Sequence, residues 1–443
     1  MPGRCSSRYS VAMSVKIGRR ADEVFGMSNE ILEDSYVDRG KLDKKIQRAL
    51  GRKSHIVIRG ASKSGKSWLR QQAVPDAIVI QCRLGKTVED LYVESLGALG
   101  IDLVVGRRSA QSFSGTLEAS ASSAKLLILS VAAKLGISIS HDLQTETRPL
   151  SQNINDLRFI AEILLESGRR LVIEDVHYLS LDERRRLAFD LKTLWDLGVF
   201  VVIVGVWKEQ SLIDLNPDLS SRVKEFSVVW EVPDLTRIID KGAKVLNVEF
   251  ASDVAAALTS SAFGNAGLLQ ALVLGTLDEA GFEQARREAF VVDDVDSFNS
   301  AAMEHAESLN TLYQSFAKRV SSGIRRRKNA TGIYAHAMKI VFEQDDETLR
   351  RGVALADIFA VAHEREPRIL LPNLRTAMQK IEGLQIDSDG RGLVLSYDEG
   401  NQQVNVVDLQ LLLYRNYATV SWPWESILDE VSDKTEAYAT DSE

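Results

Sequence analysis

Residues 56–67 read Ile-Val-Ile-Arg-Gly-Ala-Ser-Lys-Ser-Gly-Lys-Ser. The apolar run His55–Arg59 predicts a buried strand, and Ser67–Ala73 predicts a helix directly after the glycines. Glycines let backbone N–H groups curl around an anion, and the N-terminus of the following helix adds the positive end of its dipole. The stretch therefore predicts a phosphate-binding loop between a strand and a helix.

The spacing Gly60-x-x-x-x-Gly65-Lys66-Ser67 is the complete P-loop pattern. Lys66 is expected to reach the β- and γ-phosphates, and the Ser67 hydroxyl is expected to bind Mg²⁺. The alternative is a structural glycine-rich turn, which the flanking strand and helix make weaker. No guanine-reading Asn-Lys-x-Asp motif is visible, so ATP with Mg²⁺ is the expected ligand. The residues expected to surround it are Gly60, Ala61, Ser62, Lys63, Ser64, Gly65, Lys66 and Ser67.

The composition is that of a globular protein, because 45% of the 443 residues are hydrophobic and 26% are charged. This length predicts two to four domains at roughly 100–200 residues each. The net charge of −8 argues against a protein that coats nucleic acid through bulk charge, although it leaves a local basic face open.

Cys5 and Cys82 are far apart in the sequence, so neither a disulfide framework nor a zinc site is expected, and a reducing cytoplasm fits best. The longest apolar runs, Lys125–Ala133 and Leu197–Trp207, are about half as long as a membrane-spanning helix. The first residues lack the sustained apolar stretch of a signal peptide. We therefore expect a cytoplasmic protein with no membrane partner.

Strands and helices alternate from the P-loop to about residue 232. Apolar runs at Asp76–Cys82, Phe200–Val206 and Phe226–Val232 predict strands. Helices are predicted from Leu157 to Gly168 and, starting with the capping box Ser180-x-x-Glu183, to Leu197. Strands that are apolar throughout predict a parallel sheet covered by helices on both faces.

Residues 105–150 interrupt this alternation with a segment rich in Ser, Ala, Thr and Gly. Phe113, Leu117 and Ala119 share one parity, as do Ile137 and Ile139, and this period of two predicts a β-hairpin or a flexible insertion rather than a core helix. Its function is not legible from the sequence.

The C-terminal half is mainly helical. Residues 234–277 are rich in Ala and Leu, and residues 300–320 predict one long linking helix. Short helices are predicted at Leu355–Glu364 and Leu374–Ile381, followed by strands at Leu384–Asp387, Leu393–Ser396 and Val404–Val407. Short helices followed by a small β-hairpin are typical of a winged-helix domain.

The predicted fold class is therefore α/β, with a P-loop parallel β-sheet sandwiched by helices, a helical lid and a C-terminal winged-helix domain. The predicted segments are a loose leader at 1–34, an ATPase core at 35–232, a helical lid at 233–298, a linker helix with a basic segment at 299–328, a winged-helix domain at 329–422 and an acidic tail at 423–443.

A P-loop needs a second, acidic strand, and Leu171-Val-Ile-Glu174-Asp175 provides one. Three apolar residues place both carboxylates at the carboxyl edge of the sheet, where α/β proteins bind ligands. One carboxylate could hold Mg²⁺ with Ser67, and the other could orient the attacking water. The alternative is a pair of acidic residues that face solvent at a strand end.

With these motifs, the chain resembles the AAA+ and STAND branches of P-loop ATPases. It most resembles the origin-recognition or initiator-like clade with a C-terminal winged helix, over residues 35–285 in detail and 300–420 more loosely. The resemblance implies that Glu174 holds the metal and that Asp175 polarises water. The family usually ends this strand with Asp-Glu or Asp-Asp, and the shorter Asp175 at the second position implies slow hydrolysis.

The resemblance also implies an arginine finger. The family carries such an arginine in a Leu-Ser-x-Arg segment, which Leu219-Ser220-Ser221-Arg222 matches. Arg222 would then reach the γ-phosphate of a neighbouring subunit, which requires an oligomer. The alternative is a surface arginine in a loop.

Two departures from the family favour a nucleotide binder or a slow switch over a fast motor. Gly205-Val206-Trp207 lacks the polar sensor 1 residue, and the sensor 2 region Ala262–Leu269 has Ala266-Gly267 in place of the basic residue. His177 could approach the site, although a histidine at such a position more often caps a loop.

Two features could contact duplex DNA. The run from Lys318 to Lys328, including Arg325–Lys328, has six cations and no acidic residue, although such a run is usually a solvated linker. The predicted recognition helix carries Asn373, Arg375, Gln379 and Lys380, but Glu382 and Asp387–Asp389 would repel phosphate. A winged helix that contacts protein partners, or that holds the ATPase in an inactive state, is at least as consistent with these residues.

The leading hypothesis is an ATP-binding, slowly hydrolysing switch that forms a homo-oligomer with ATP and controls a partner effector, by analogy in bacterial defence or mobile-element biology. The alternative is a DNA-binding initiator or regulator with ATP as a loading cofactor. A third is an inert nucleotide-binding scaffold. The sequence does not identify the partner, the oligomer number or the rate.

Overall fold

The computed structural model describes residues 15–109, 112–119, 122–135, 148–150, 157–206, 212–323, 331–385 and 393–430, with backbone only at 103–109, 112–119 and 148–150. The chain divides into two compact units. Unit 1 comprises Met1–Arg39, Val229–Thr311 and Gln410–Val420. Unit 2 comprises Gly40–Val228, Leu312–Leu409 and Ser421–Glu443.

The helices are numbered in chain order as α1 (Lys41–Leu50), α2 (Lys66–Ala73), α3 (Val88–Gly97), α4 (Ser122–Leu135), α5 (Leu157–Ser167), α6 (Leu181–Asp196), α7 (Leu212–Leu215), α8 (Val232–Leu246), α9 (Ser252–Ser261), α10 (Ala266–Glu279), α11 (Val295–Ser308), α12 (Asn310–Ser322), α13 (Ile333–Phe342), α14 (Asp346–Arg351), α15 (Leu355–Arg365), α16 (Leu371–Gln379), α17 (Ile381–Gln385) and α18 (Gln410–Tyr417). The strands are β1 (His55–Arg59), β2 (Ala77–Gln81), β3 (Ile101–Ser109), β4 (Ser112–Ala119), β5 (Arg148–Leu150), β6 (Arg170–Glu174), β7 (Val202–Gly205), β8 (Val223–Ser227), β9 (Val248–Phe250), β10 (Phe290–Val292), β11 (Val353–Ala354), β12 (Leu395–Asp398) and β13 (Gln403–Val406).

Unit 2 is built on a five-stranded parallel sheet with the order β2-β6-β7-β1-β8. Strand β1 is buried because β7 and β8 flank it and helices cover the sheet. The sheet confirms the predicted α/β class. One predicted boundary is wrong: β8 ends at Ser227, and Val232 already opens α8, where Pro233 fits the first turn because it needs no N–H partner.

The insertion at 105–150 contains the predicted hairpin and also a helix. Strands β3 and β4 pair antiparallel, and β5 adds to β4. The prediction that excluded a core helix is wrong for α4, whose side chains Ala124, Ile128 and Val131 are buried. Helix α4 packs against α5, so helical spacing of its apolar residues outweighs the polar composition around it.

Unit 1 combines an N-terminal segment with helices α8 to α11 and α18. The N-terminal segment is not loose where the structure describes it, because Ala21, Val24 and Phe25 are buried. The Phe25 ring lies where a side chain at Gly242 of α8 would stand, so the glycine admits the ring. The predicted linking helix at 300–320 is two helices, since α11 ends at Ser308 and α12 begins at Asn310.

The C-terminal part of unit 2 contains the predicted short helices and hairpin. Helices α13, α15 and α16 accompany a three-stranded antiparallel sheet with the order β11-β13-β12. The strand predicted from Leu384 is wrong for the described residues, which form helix α17. Gln385 is buried at its end, and its amide bonds Ile381 and the backbone of Val394 and Leu395, which anchors the helix to β12.

Candidate phosphate-binding site

The loop after β1 has a backbone that glycine makes possible. Gly65 adopts a left-handed conformation with φ of 79° and precedes α2, and Lys63 has φ of 59°. A Cβ at Gly60 would lie 2.8 Å from the Val228 carbonyl oxygen and 2.9 Å from Ser64 Oγ. No other residue fits Gly60 without displacing these neighbours, so the loop requires a glycine at this position.

Lys66 is the first residue of α2, and its side chain is buried. Its Nζ donates to the carbonyl oxygens of Gly60 at 3.1 Å and Ala61 at 2.6 Å, which holds the ammonium over the loop. Burial lowers the pKa of Lys66 to about 8, against the opposing attraction of Asp175 and Glu174. A buried cation of this kind is suited to an anionic ligand.

Both predicted carboxylates lie at the edge of the sheet that carries the loop. Strand β7 separates β1 from β6, with Arg59 opposite Gly205 and Glu174 opposite Val204. At about 4.8 Å between neighbouring strands, the ends of β1 and β6 are about 10 Å apart. The structure therefore brings Glu174 and Asp175 to the same edge as Lys66.

Glu174 has a partner that the sequence analysis did not anticipate. Arg70 lies one turn after Lys66 on α2, and its Nε donates to Glu174 Oε1 at 2.8 Å. Both side chains are buried. The four-residue spacing between Lys66 and Arg70 was the only signal that could have found it, because it places both cations on one helix face.

Asp175 follows the strand in a left-handed conformation with φ of 60°. Burial raises the pKa of its carboxyl, the neighbouring Glu174 raises it further, and Lys66 opposes both effects. Aspartate is one of the few non-glycine residues that adopt this conformation readily, so the side chain is compatible with a tight turn at the end of the strand.

His177 and Arg184 lie near the same edge. The Val206 N–H donates to His177 Nδ1 at 3.3 Å, so the ring is neutral. Burial lowers the pKa of His177 to about 3, and the charges of Lys66 and Arg184 contribute. Arg184, on the first turn of α6, was not singled out from the sequence.

Arg184 also interacts with the C-terminal part of unit 2. Burial lowers its pKa, and the charge of Glu382 on α17 opposes that shift. Burial raises the pKa of Glu382, and Arg184 is the main opposing influence. The charge of Arg184 therefore influences two groups: it contributes to the lowered pKa of His177 at the loop edge, and it opposes the raised pKa of Glu382.

Arg222 lies at the opposite edge of the sheet. It directly precedes β8, and its carbonyl accepts from the His55 N–H at the start of β1. At about 3.3 Å per residue, this edge is roughly 15–20 Å from the P-loop of the same chain. Its guanidinium lies over the Trp195 ring at 4.8 Å and donates to the Asp218 carbonyl. Its role as a finger in a neighbouring subunit stays a prediction.

The other predicted residues are distributed as follows. Asn265, within the sensor 2 region, caps α10 by accepting from the Leu268 N–H. The side chains of Asn373, Arg375, Gln379 and Lys380 are exposed on and directly after α16. Trp207, Arg325–Lys328 and Asp387–Asp389 lie outside the described residues.

The oxygen-bearing side chains at this edge fit a Mg²⁺ ion that is also bound by the phosphates of a ligand. Within the described residues, no three His, Cys, Asp or Glu side chains group as a metal site. Mg²⁺ commonly binds through one or two carboxylates plus substrate phosphates instead of an all-protein cage. Ser67, exposed on α2, and the carboxylates after β6 are suited to that arrangement. Among the helices in the described ranges, none has the length and apolar character to cross a bilayer.

Comparison with protein-family models and with curated proteins gives no match. Among solved structures, the chain is similar to a Signal Transduction ATPase with Numerous Domains (STAND) protein with a tetratricopeptide repeat sensor from Pyrococcus horikoshii. The identity is 14% and the TM-score is 0.36, with 95% of this chain and 47% of that chain covered. This chain thus spans about half the length of that protein. A similarity this low carries no argument about function, and nothing in it supports the origin-recognition clade.

Proposed function

We propose that the chain binds ATP with Mg²⁺ at Gly60–Ser67, hydrolyses it slowly and uses the bound nucleotide as a switch. The observation that carries this proposal is Lys66, a buried ammonium held over the loop at the edge where Glu174 and Asp175 end their strand. Backbone N–H groups of the loop and the N-terminus of α2 add positive potential at the same place.

Each residue of the site has its own role in this proposal. Lys66 binds the β- and γ-phosphates, and Ser67 and Glu174 hold Mg²⁺, which neutralises phosphate charge when bound. Asp175 orients water. Hydrolysis is slow because Arg70 competes with the metal for Glu174 and because Asp175 is shorter than glutamate.

The test combines binding and turnover. Calorimetry with Mg-ATP is expected to show one site per chain, and phosphate release is expected to be slow but measurable. Lys66→Ala should abolish both, whereas Lys192→Ala, which removes a lysine from a surface ion pair with Asp196, should preserve both. Equal affinity for ATP in wild type and Lys66→Ala would overturn the proposal.

The switch is supported by Arg184, whose charge contributes to the lowered pKa of His177 at the loop edge and opposes the raised pKa of Glu382 in the C-terminal part. A bound phosphate would compete with Glu382 for this guanidinium, because one cation cannot satisfy two separated anions equally well. Glu382→Gln should therefore change the release rate of a fluorescent ADP analogue several-fold. The exposed Glu364→Gln is the matched control. Identical release rates in the two variants would remove Glu382 from the switch.

A further inference from the structure

Helix α1 and the turn after it present a basic face, which we define as the exposed side chains Lys41, Lys44, Lys45, Arg48, Arg52 and Lys53. The same segment has one carboxylate, Asp43, which is half-buried. Among the described residues, none of the six side chains has a hydrogen-bond or ion-pair partner. Since the whole chain carries a net charge of −8, this face has the opposite sign to the protein.

The basic face is held by packing on its other side. Ile46 and Ala49 are buried beneath α1, which packs against α2, β1 and the edge strand β8. Lys41, Lys44, Lys45 and Arg48 lie within an arc of about 100° whose centre is about 120° around the helix from the midpoint of Ile46 and Ala49, at 3.6 residues per turn. The Arg170 guanidinium donates to the Leu50 carbonyl at 3.2 Å and caps the end of α1. The cations are therefore presented from a fixed helix.

This arrangement is unfavourable for the isolated protein. The cations follow one another at spacings of three and four residues, where like charges repel. Lys41, Lys44 and Lys45 also stand at the N-terminal end of α1, where the helix dipole disfavours positive charge. The elements beneath do not compensate, because α2 and β1 carry no carboxylate and the Glu225 carboxylate of β8 pairs with Arg59. A polyanion would relieve this repulsion.

We propose that the basic face binds the phosphate backbone of duplex DNA. A single strand is disfavoured because the face has no aromatic side chain on which bases could stack. A membrane surface is disfavoured because the basic face has no exposed apolar side chain to insert into lipid: Ile46 and Ala49 are buried, and Leu42 and Leu50 are half-buried. A protein partner is disfavoured because lysine is depleted from protein interfaces.

The dimensions agree with a duplex. Lys41 and Arg52 are separated by about 16 Å at 1.5 Å per residue of helix. One DNA strand presents a phosphate about every 3.4 Å along the axis, so about five lie within this span. Because Lys and Arg contacts to phosphates carry no base information, the binding is independent of sequence.

The experiment measures anisotropy of a labelled 30-base-pair duplex with the full chain across a series of NaCl concentrations. Wild type is expected to bind at 50 mM NaCl. The combined variant Lys44→Gln, Lys45→Gln, Arg48→Gln, Arg52→Gln is expected to lower the slope of log affinity against log salt by about 3.6, at about 0.9 per phosphate contact. If that variant is misfolded by circular dichroism, Lys45→Gln and Arg48→Gln alone are each expected to lower the slope by about 0.9.

The matched control removes the same charge elsewhere. Arg20, Arg185, Arg351 and Arg365 are exposed and form surface ion pairs, so replacing all four with Gln should leave the slope unchanged. Absence of binding at 50 mM NaCl, or equal losses in the two combined variants, would overturn the proposal. So would equal affinity for duplex RNA, for phosphatidylserine vesicles or for polyglutamate, or dependence on Arg325–Lys328 alone.

Discussion

Arg70 donates its Nε to Glu174 Oε1 across 2.8 Å, in a pair whose side chains are 10% and 7% exposed. The pair joins α2, which follows the proposed phosphate-binding loop, to the end of β6, where the predicted metal ligand Glu174 lies. A buried pair of this kind links the position of the loop helix to the carboxylate at the edge of the sheet.

This pair predicts strong coupling between its two members. Arg70→Met or Glu174→Met alone should each lower the free energy of unfolding by about 3–5 kcal/mol, because the remaining charge stays buried without its partner. The double variant should lose much less than the sum. Urea unfolding of all four proteins measures the coupling. Additive losses would show that the two side chains are not energetically linked.

We expect the buried charge of Lys66 to lower the stability of the nucleotide-free protein and to strengthen ATP binding. Its pKa of about 8 lies below the unfolded value of 10.5, so at pH 7 the folded chain bears the cost of a buried charge. Without nucleotide, Lys66→Met should unfold at higher urea than wild type. At an ATP concentration about 100 times the wild-type dissociation constant, wild type should gain about 2.7 kcal/mol and the variant nothing. A variant that is less stable without ATP would contradict this account.

We expect the buried His55 to make the folded state less stable at acidic pH. Its Nε2 lies 2.8 Å from the Leu191 carbonyl oxygen and its Nδ1 accepts from the Val201 N–H, so the buried ring is neutral. Burial lowers its pKa to about 4, below the unfolded value of 6.5. The unfolded chain therefore takes up the proton first, and stability present above pH 6.5 is lost as the pH falls toward 4.

Between pH 7 and pH 5 the contribution of His55 should fall by about 2 kcal/mol. Denaturant titrations at both pH values measure this change. Over the same pH change, the free energy of unfolding of His55→Gln should fall by about 2 kcal/mol less than that of wild type. The free energy of unfolding of His363→Gln, at an exposed position, should fall as much as that of wild type. An unchanged pH dependence in His55→Gln would exclude this role.

Arg222 predicts complementation between subunits. Because it lies at the sheet edge opposite its own P-loop, any contact with a γ-phosphate must involve a neighbouring chain. Arg222→Ala and Lys66→Ala should each be inactive alone. Their mixture should recover phosphate release, since the Lys66→Ala chain can supply Arg222 to an intact P-loop. A mixture without recovery, or full turnover by monomeric Arg222→Ala, would reduce Arg222 to its packing on Trp195.

The sequence by itself determined the parts that depend on neighbouring residues. The strand-loop-helix at 55–73 and the acidic strand end at Glu174 follow from apolar runs, glycine spacing and caps, which act over a few positions. The same rules failed where a distant contact decides the outcome. Gln385 bonds β12 and keeps Leu384 helical, and the apolar face of α4 is buried against α5.

Only the tertiary structure decided how these parts meet. The strand order places β7 between β1 and β6, and so brings Lys66, Glu174 and Asp175 to one edge while Arg222 lies at the other. The roles proposed for Arg70, Arg184 and the basic face of α1 depend on how exposed these side chains are and on which charged groups lie near them. These properties depend on contacts between residues that are far apart in the chain, and such contacts cannot be read from local sequence patterns.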